Sequence, residues 1–154
     1  MKFGLLTAIL EGTTFEEAVD FAAENQLECL EVACWPNTGG AKRRYAGVCH
    51  IDAEALTEEK AKEIIQYCKE RNVEISSLGY YPNTLDPDLE KRKQYIDHIY
   101  ALIDASSMLN VNMVTTFLGR VPDNNVEENL EIVKEVWPPI LEYAKEKGVK
   151  IAYV

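Results

Sequence analysis

The chain has 154 residues, enough for one compact domain, and its 47% hydrophobic and 27% charged content suits a packed globular protein rather than a disordered one. Acids outnumber bases 26 to 16, a net charge of −10. A net anion is repelled by nucleic-acid backbones and anionic membrane surfaces, and no apolar run approaches a membrane span, so neither nucleic acid nor membrane is expected as a partner.

The opening stretch MKFGLLTAI reads as a first core strand. Its apolar run is too short for a signal peptide and leads into Glu11 instead of a small-residue cleavage site. Thr14 with Glu17 predicts a capping box before a helix whose Phe15, Ala18, Val19 and Ala22 share one face. LECLEVACWP supplies a second strand, in which Leu30, Val32 and Cys34 alternate with Cys29, Glu31, Ala33 and Trp35. Thr57 caps a second helix with the stripe Ala61, Ile64, Ile65 and Cys68. A third helix from about Asp88 carries Ile96, Ile99, Tyr100 and Ile103, and His98, off that stripe, is expected to face solvent. The fourth, capped near Asn125, carries Leu130, Val133, Trp137, Ile140, Leu141 and Ala144. Pro138 and Pro139 should kink it, because proline removes a backbone donor and crowds the preceding turn.

Four junctions repeat a pattern: NQLECLEV, RNVEISSL, LNVNMVTT and KGVKIAYV. With Leu27, Val73, Val111 and Val149 as markers, the gaps are 46, 38 and 38 residues. The repeated unit is strand plus helix, which predicts a parallel sheet with right-handed crossovers, five strands and four helices. Cys29, Cys34, Cys49 and Cys68 form no CxxC pair and read as free thiols of a reducing cytoplasm, two or three of them buried. The group Cys34, Cys49 and His50 fits no common zinc spacing.

Helix-to-strand connections are short, whereas strand-to-helix connections are long and chemically rich. In parallel α/β folds the latter form the ligand site. Here they gather Trp35, Asn37, Lys42, Arg43, Arg44, His50, Tyr80, Tyr81, Asn83, Phe117 and Arg120. Bases concentrated there on an acidic protein suggest an anionic or polyhydroxylated ligand. Two architectures fit five such strands: an open doubly wound flavodoxin-like sheet, and part of a (β/α)8 TIM barrel. No helix follows Val154 to cover a last strand, and LTAILEGTT has a single glycine, so no dinucleotide fingerprint is present.

GLLTAIL, LECLEVACWP, SSLGYYPNTLDPD and VTTFLGR resemble, in order and spacing, the sugar phosphate isomerase/epimerase family, the xylose isomerase-like TIM barrels. The resemblance implies that residues 1–154 are a single domain, the amino-terminal part of such a barrel. It also implies aldose–ketose isomerisation or epimerisation with a divalent metal (Mn, Mg, Zn or Co), some members being dehydratases or hydrolases. The family's fifth strand usually reads KIAIEN, its glutamate binding the metal. Here Lys150-Ile151-Ala152 matches, and Val154 stands at the ligand position. The other ligands belong to later strands, so this chain is expected to bind no metal and to be inactive alone.

Glu31 is the one catalytic candidate. It is expected to be a semi-buried acid beneath Trp35, either accepting from a sugar hydroxyl or moving a proton, or else paired with a Lys, an Arg or a backbone amide. The expected substrate wall is Glu31, Trp35, His50, Tyr80, Tyr81, Thr116, Phe117 and Arg120. One of Tyr80 and Tyr81 should pack as core while the other stacks on a sugar ring. Thr116 shares the parity of Asn112 and Val114. Arg120 suits a phosphate or carboxylate, or pairs with Asp123. The expected ligand is a small sugar or sugar phosphate. The alternative is a non-catalytic module that self-associates through exposed sheet edges.

Overall fold

The computed structural model describes residues 1–37 and 47–154. Lys42, Arg43 and Arg44, expected on the ligand-facing loops, lie outside the described residues. The elements are β1 (Gly4–Leu6), a 3-10 turn (Thr7–Ile9), α1 (Phe15–Glu24), β2 (Cys29–Ala33), α2 (Glu58–Glu70), β3 (Glu74–Gly79), α3 (Leu89–Met108), β4 (Met113–Thr116), α4 (Val126–Glu146) and β5 (Lys150–Tyr153).

Local sequence sets the helix ends. Thr14/Glu17 and Asn125/Glu128 form reciprocal capping boxes, and Thr57 and Asp88 accept from first-turn amides. The four repeat markers share one structural job. The N–H groups of Leu27, Val73, Val111 and Val149 donate to Ala22, Cys68, Ser106 and Ala144 at 2.8–3.1 Å, each closing a helix end. The residue before each marker has positive φ: Gln26 59°, Asn72 55°, Asn110 56° and Gly148 71°. Each helix thus stops in the same left-handed turn with a following apolar residue tucked back, the Schellman arrangement. The sequence repeat is this turn, recurring once per unit.

The five strands are all parallel and lie in the order β1-β2-β3-β4-β5. A flavodoxin-like sheet reverses direction after its first strand. This order never reverses, so that alternative is excluded and right-handed crossovers place the helices on one face. One core joins Leu30, Val32, Cys34, Leu78, Tyr80 and Val114 of the sheet side to Val19, Ile64, Ile99, Leu102, Ile103, Trp137 and Ile140 of the helices. The helix layer carries a paired device. Tyr67 of α2 donates to both carboxylate oxygens of Asp20 on α1, and Arg71 also bonds Asp20 with its guanidinium carbon 3.3 Å from the Tyr67 ring centre. In α4, Tyr143 donates to both oxygens of Asp104 on α3, and Lys147 lies 2.7 Å from Asp104. An aspartate on one helix thus meets a tyrosine and a base four residues apart on the next, in α1–α2 and again in α3–α4.

Three expectations need correction. The first strand covers only Gly4–Leu6, because the Thr7 hydroxyl, not a further carbonyl of the strand, accepts the Ala33 N–H at 2.9 Å and the chain turns into a 3-10 helix. His98 is buried, 2% exposed, since the loop carrying Glu54 packs over the side of α3 that hydropathy alone assigns to solvent. Leu130 and Leu141 are exposed, and the buried face of α4 is Trp137, Ile140 and Ala144. Pro138 and Pro139 lie inside the helix Val126–Glu146. Both prolines lie on its exposed side, where water can satisfy the carbonyls that lose a donor.

Candidate functional site

The face opposite the helices ends, at the carboxyl side of the strands, in a polar cluster. Glu31 of β2 is half-buried. Its carboxylate accepts from the Tyr81 hydroxyl and, at 3.2 Å, from Ser77 of β3. Thr115 of β4 lies 3.5 Å from the Ser77 hydroxyl. A register shift brings these groups together. Leu30 pairs with Ile75 but Glu31 pairs with Ser77, so Ser76 is skipped and its hydroxyl bonds the Leu30 carbonyl at 3.1 Å. Among the described residues no base or backbone amide partners the Glu31 carboxylate, and two hydroxyls bond it instead.

Gly79 keeps the floor open. A Cβ there would meet Glu31 Oε1 at 2.7 Å and the Tyr81 ring at 3.3 Å. Burial first, then the bond to Glu31, push the Tyr81 phenol above its ordinary pKa, so it stays a donor at neutral pH. Aromatic rings wall the cluster. Tyr81 stands 4.9 Å from Phe117 and 5.7 Å from Trp35 between ring centres. Phe117 is 44% exposed, so this wall is open to solvent at its rim.

The chain of rings continues away from the site, with Trp35 to Tyr80 at 5.8 Å and Tyr80 to His98 at 4.7 Å. Tyr80 is 3% exposed, so it is the core member of the tyrosine pair and is withdrawn as a ligand contact. His98 donates through Nε2 to the Cys34 carbonyl at 2.8 Å, while Nδ1 meets Glu54 at 2.8 Å. It is a strut between α3 and the segment after β2. Thr116 is fully buried, with its hydroxyl 3.5 Å from the Phe117 carbonyl. Its parity is that of Val114, which packs toward the helices, so Thr115 and not Thr116 serves the cluster.

His50 ties two segments together. Nδ1 lies 2.9 Å from Thr7 Oγ1 and Nε2 3.2 Å from Thr13 Oγ1. Burial lowers its pKa below the usual imidazole value, partly opposed by bonds to Thr13 and Leu10. Arg120 is exposed and none of the ion pairs among the described residues, with Asp123 or otherwise, includes it. Its backbone is clasped by Asn83, which accepts from Arg120 N–H at 2.8 Å and donates to its carbonyl at 2.9 Å. Asn83, expected on the ligand-facing loops, is thus a loop fastener. Ser77 and Thr115 join the site without being legible in the sequence. Ser77 shares the parity of Gly79 and Tyr81, but the register shift that sets it opposite Glu31 leaves no local signal.

Among the described residues no group of three or more His, Cys, Asp or Glu side chains is arranged to hold a metal. Glu31 is the sole carboxylate of the cluster described above, and its described partners are hydroxyls, so it has no second carboxylate or imidazole to share a divalent cation with. These residues by themselves do not fit the divalent metal that the resemblance implies.

Consecutive parallel βα units in unreversed order, with a polar and aromatic face at the strand ends, define a TIM-barrel arrangement. Residues 19–153 match the family model described as xylose isomerase-like TIM barrel, and the chain belongs to that family. Solved structures with the same fold include a xylose isomerase domain protein from Planctomyces limnophilus (14% identity, TM-score 0.67, 99% of this chain and 53% of that one). A probable 3-DHS dehydratase from Bacillus anthracis matches at 20% identity and TM-score 0.69, over 99% and 52%. D-psicose 3-epimerase with D-tagatose from Clostridium cellulolyticum H10 matches at 16% and 0.70, over 98% and 51%. The chain therefore spans about half the length of the structures it matches. No curated protein sequence matches it. Among the described residues no helix is long and apolar enough to cross a membrane.

Proposed function

We propose that this chain supplies part of the substrate wall of a sugar isomerase or epimerase, binding a small carbohydrate or polyol beside Glu31. The observation that carries this is the Glu31 carboxylate held by the Tyr81 and Ser77 hydroxyls, with the Tyr81 ring packed between Trp35 and Phe117. Hydroxyl-rich ligands exchange hydrogen bonds with such a cluster, and ring faces cover their C–H surfaces. Glu31 accepts from a ligand hydroxyl and is the candidate for moving a proton. Arg120, exposed on a fastened loop, suits a phosphate at the ligand's far end. The divalent metal of the family is, in this proposal, held by residues other than those of this chain, which is inactive alone.

The test is an NMR or calorimetric titration of the chain with D-tagatose and D-fructose, with and without manganese. Sugar-dependent shifts at Trp35, Tyr81 and Phe117 that weaken in Glu31→Gln are expected. Shifts confined to other surfaces would overturn the binding site, and micromolar manganese affinity would overturn the assignment of the metal.

A second reading rests on the outer strands: among the described residues β1 pairs only with β2 and β5 only with β4. Unpaired strand edges recruit other strands, so this reading is a non-catalytic module that self-associates through them. Light scattering that gives a monomer mass at every concentration would count against it.

A further inference from the structure

Cys34 and Cys49 face each other across an isolated antiparallel bridge. The Trp35 N–H donates to the Val48 carbonyl at 3.1 Å, and the His50 N–H to the Ala33 carbonyl at 2.9 Å. These bonds flank the cysteines, which exchange no backbone bond with each other. In such a pair the side chains leave the same face and the Cα atoms stand about 4.5 Å apart. That lies inside the roughly 4.4–6.8 Å that a disulfide spans. Both residues are free thiols, Cys34 buried and Cys49 half-buried. Cys29 sits opposite Gly4 and Glu74 in the sheet, and Cys68 lies on α2, so neither faces a second thiol in this way.

We propose that Cys34 and Cys49 form a reversible disulfide when the folded chain meets a small-molecule disulfide oxidant, and that this cross-link locks the bridge carrying Trp35 and His50. The more accessible Cys49 attacks first, as its thiolate. A Cys49–oxidant S–S bond forms, the oxidant's own S–S bond breaks and one small thiolate leaves. The Cys34 thiolate then attacks Cys49 Sγ and expels the second small thiolate. Two protein thiols lose two electrons, the oxidant gains them, and the two thiol protons end on the two released thiolates. Burial pushes the Cys49 thiol up to about 11. Burial, with a smaller contribution from Cys49, holds Cys34 well above the usual thiol range. Exchange is therefore slow near neutrality and quickens with pH.

The test incubates the folded wild-type chain with oxidised glutathione at about pH 9, where thiolates become available. Acid quenching, alkylation, intact mass and peptide mapping follow. The expected product has lost two hydrogens, yields one joined peptide linking Cys34 to Cys49, and reverts with a dithiol reductant. It persists in Cys29→Ser and Cys68→Ser and disappears in Cys34→Ser and Cys49→Ser. Amide exchange at Trp35 and His50 should slow in the oxidised form. A joined peptide containing Cys29 or Cys68 would overturn the pairing. So would a glutathione adduct that stops at Cys49, or four unmodified thiols under conditions that oxidise the urea-unfolded chain. Unchanged exchange at Trp35 and His50 would overturn the locking role.

Discussion

The Tyr81 hydroxyl donates to the Glu31 carboxylate, joining the loop after β3 to the middle of β2 across fifty residues of chain. A half-buried carboxylate is tolerated there because hydroxyls replace the water it loses. Removing the donor should expose that dependence. Tyr81→Phe keeps the ring against Trp35 and Phe117 and should cost about 1–2 kcal/mol of stability. In a double-mutant cycle with Glu31→Gln the coupling should be about 1 kcal/mol, read from urea unfolding. Strictly additive effects would mean that the bond contributes nothing.

The helix-ending turns give a test free of side-chain contacts. Gln26 holds φ of 59° without being glycine. An L-residue in that region costs about 1–2 kcal/mol, so Gln26→Gly should raise stability by about 1 kcal/mol. Gly148→Ala should lower it by about the same amount. A Cβ at Gly148 meets nothing within 4 Å, so the loss would be backbone strain alone. Thermal unfolding of the two variants should move in opposite directions.

His98 should prove to be a strut. His98→Leu keeps the bulk but strips the Cys34 carbonyl of its buried donor, for a loss of about 1–3 kcal/mol. His98→Gln, which retains a donor, should recover part of that. Urea midpoints of the three proteins provide the comparison. Equal stability of the Leu variant and the wild type would refute the role.

Alkaline pH should destabilise the chain. Burial is the main cause that raises Tyr80, Tyr81, Cys34, Cys49 and Cys68, with Cys49 and Cys68 at about 11. The folded values exceed the unfolded ones of about 8.5 for Cys and about 10 for Tyr. The unfolded chain therefore releases its protons first, and stability falls as pH rises. The contribution is intact below about pH 8 and is lost through the range of about 9 to 11 and above. His50 has the opposite sign: its lowered value gives stability that is present above about 6.5 and is lost as pH falls through the folded value. Urea midpoints measured under reductant across pH should form a dome, and Tyr81→Phe should flatten its alkaline side above about pH 10.

The sequence by itself determined the elements and their succession. Caps at Thr14, Thr57, Asp88 and Asn125, apolar stripes and the recurring helix-ending turn are local, and local chemistry writes them into a few adjacent residues. Unreversed strand order agrees with the resemblance carried by LGYYPNTLDPD and TTFLGR. What only the tertiary structure decided is which side chains meet. The shift after Leu30 set Ser77 opposite Glu31, and the packing of Val114 toward the helices left Thr115, not Thr116, beside Ser77. The segment carrying Glu54 buried His98. Packing sent Tyr80 to the core and left Tyr81 at the site. Register, face and burial depend on groups tens of residues apart, and no window of neighbouring residues contains them.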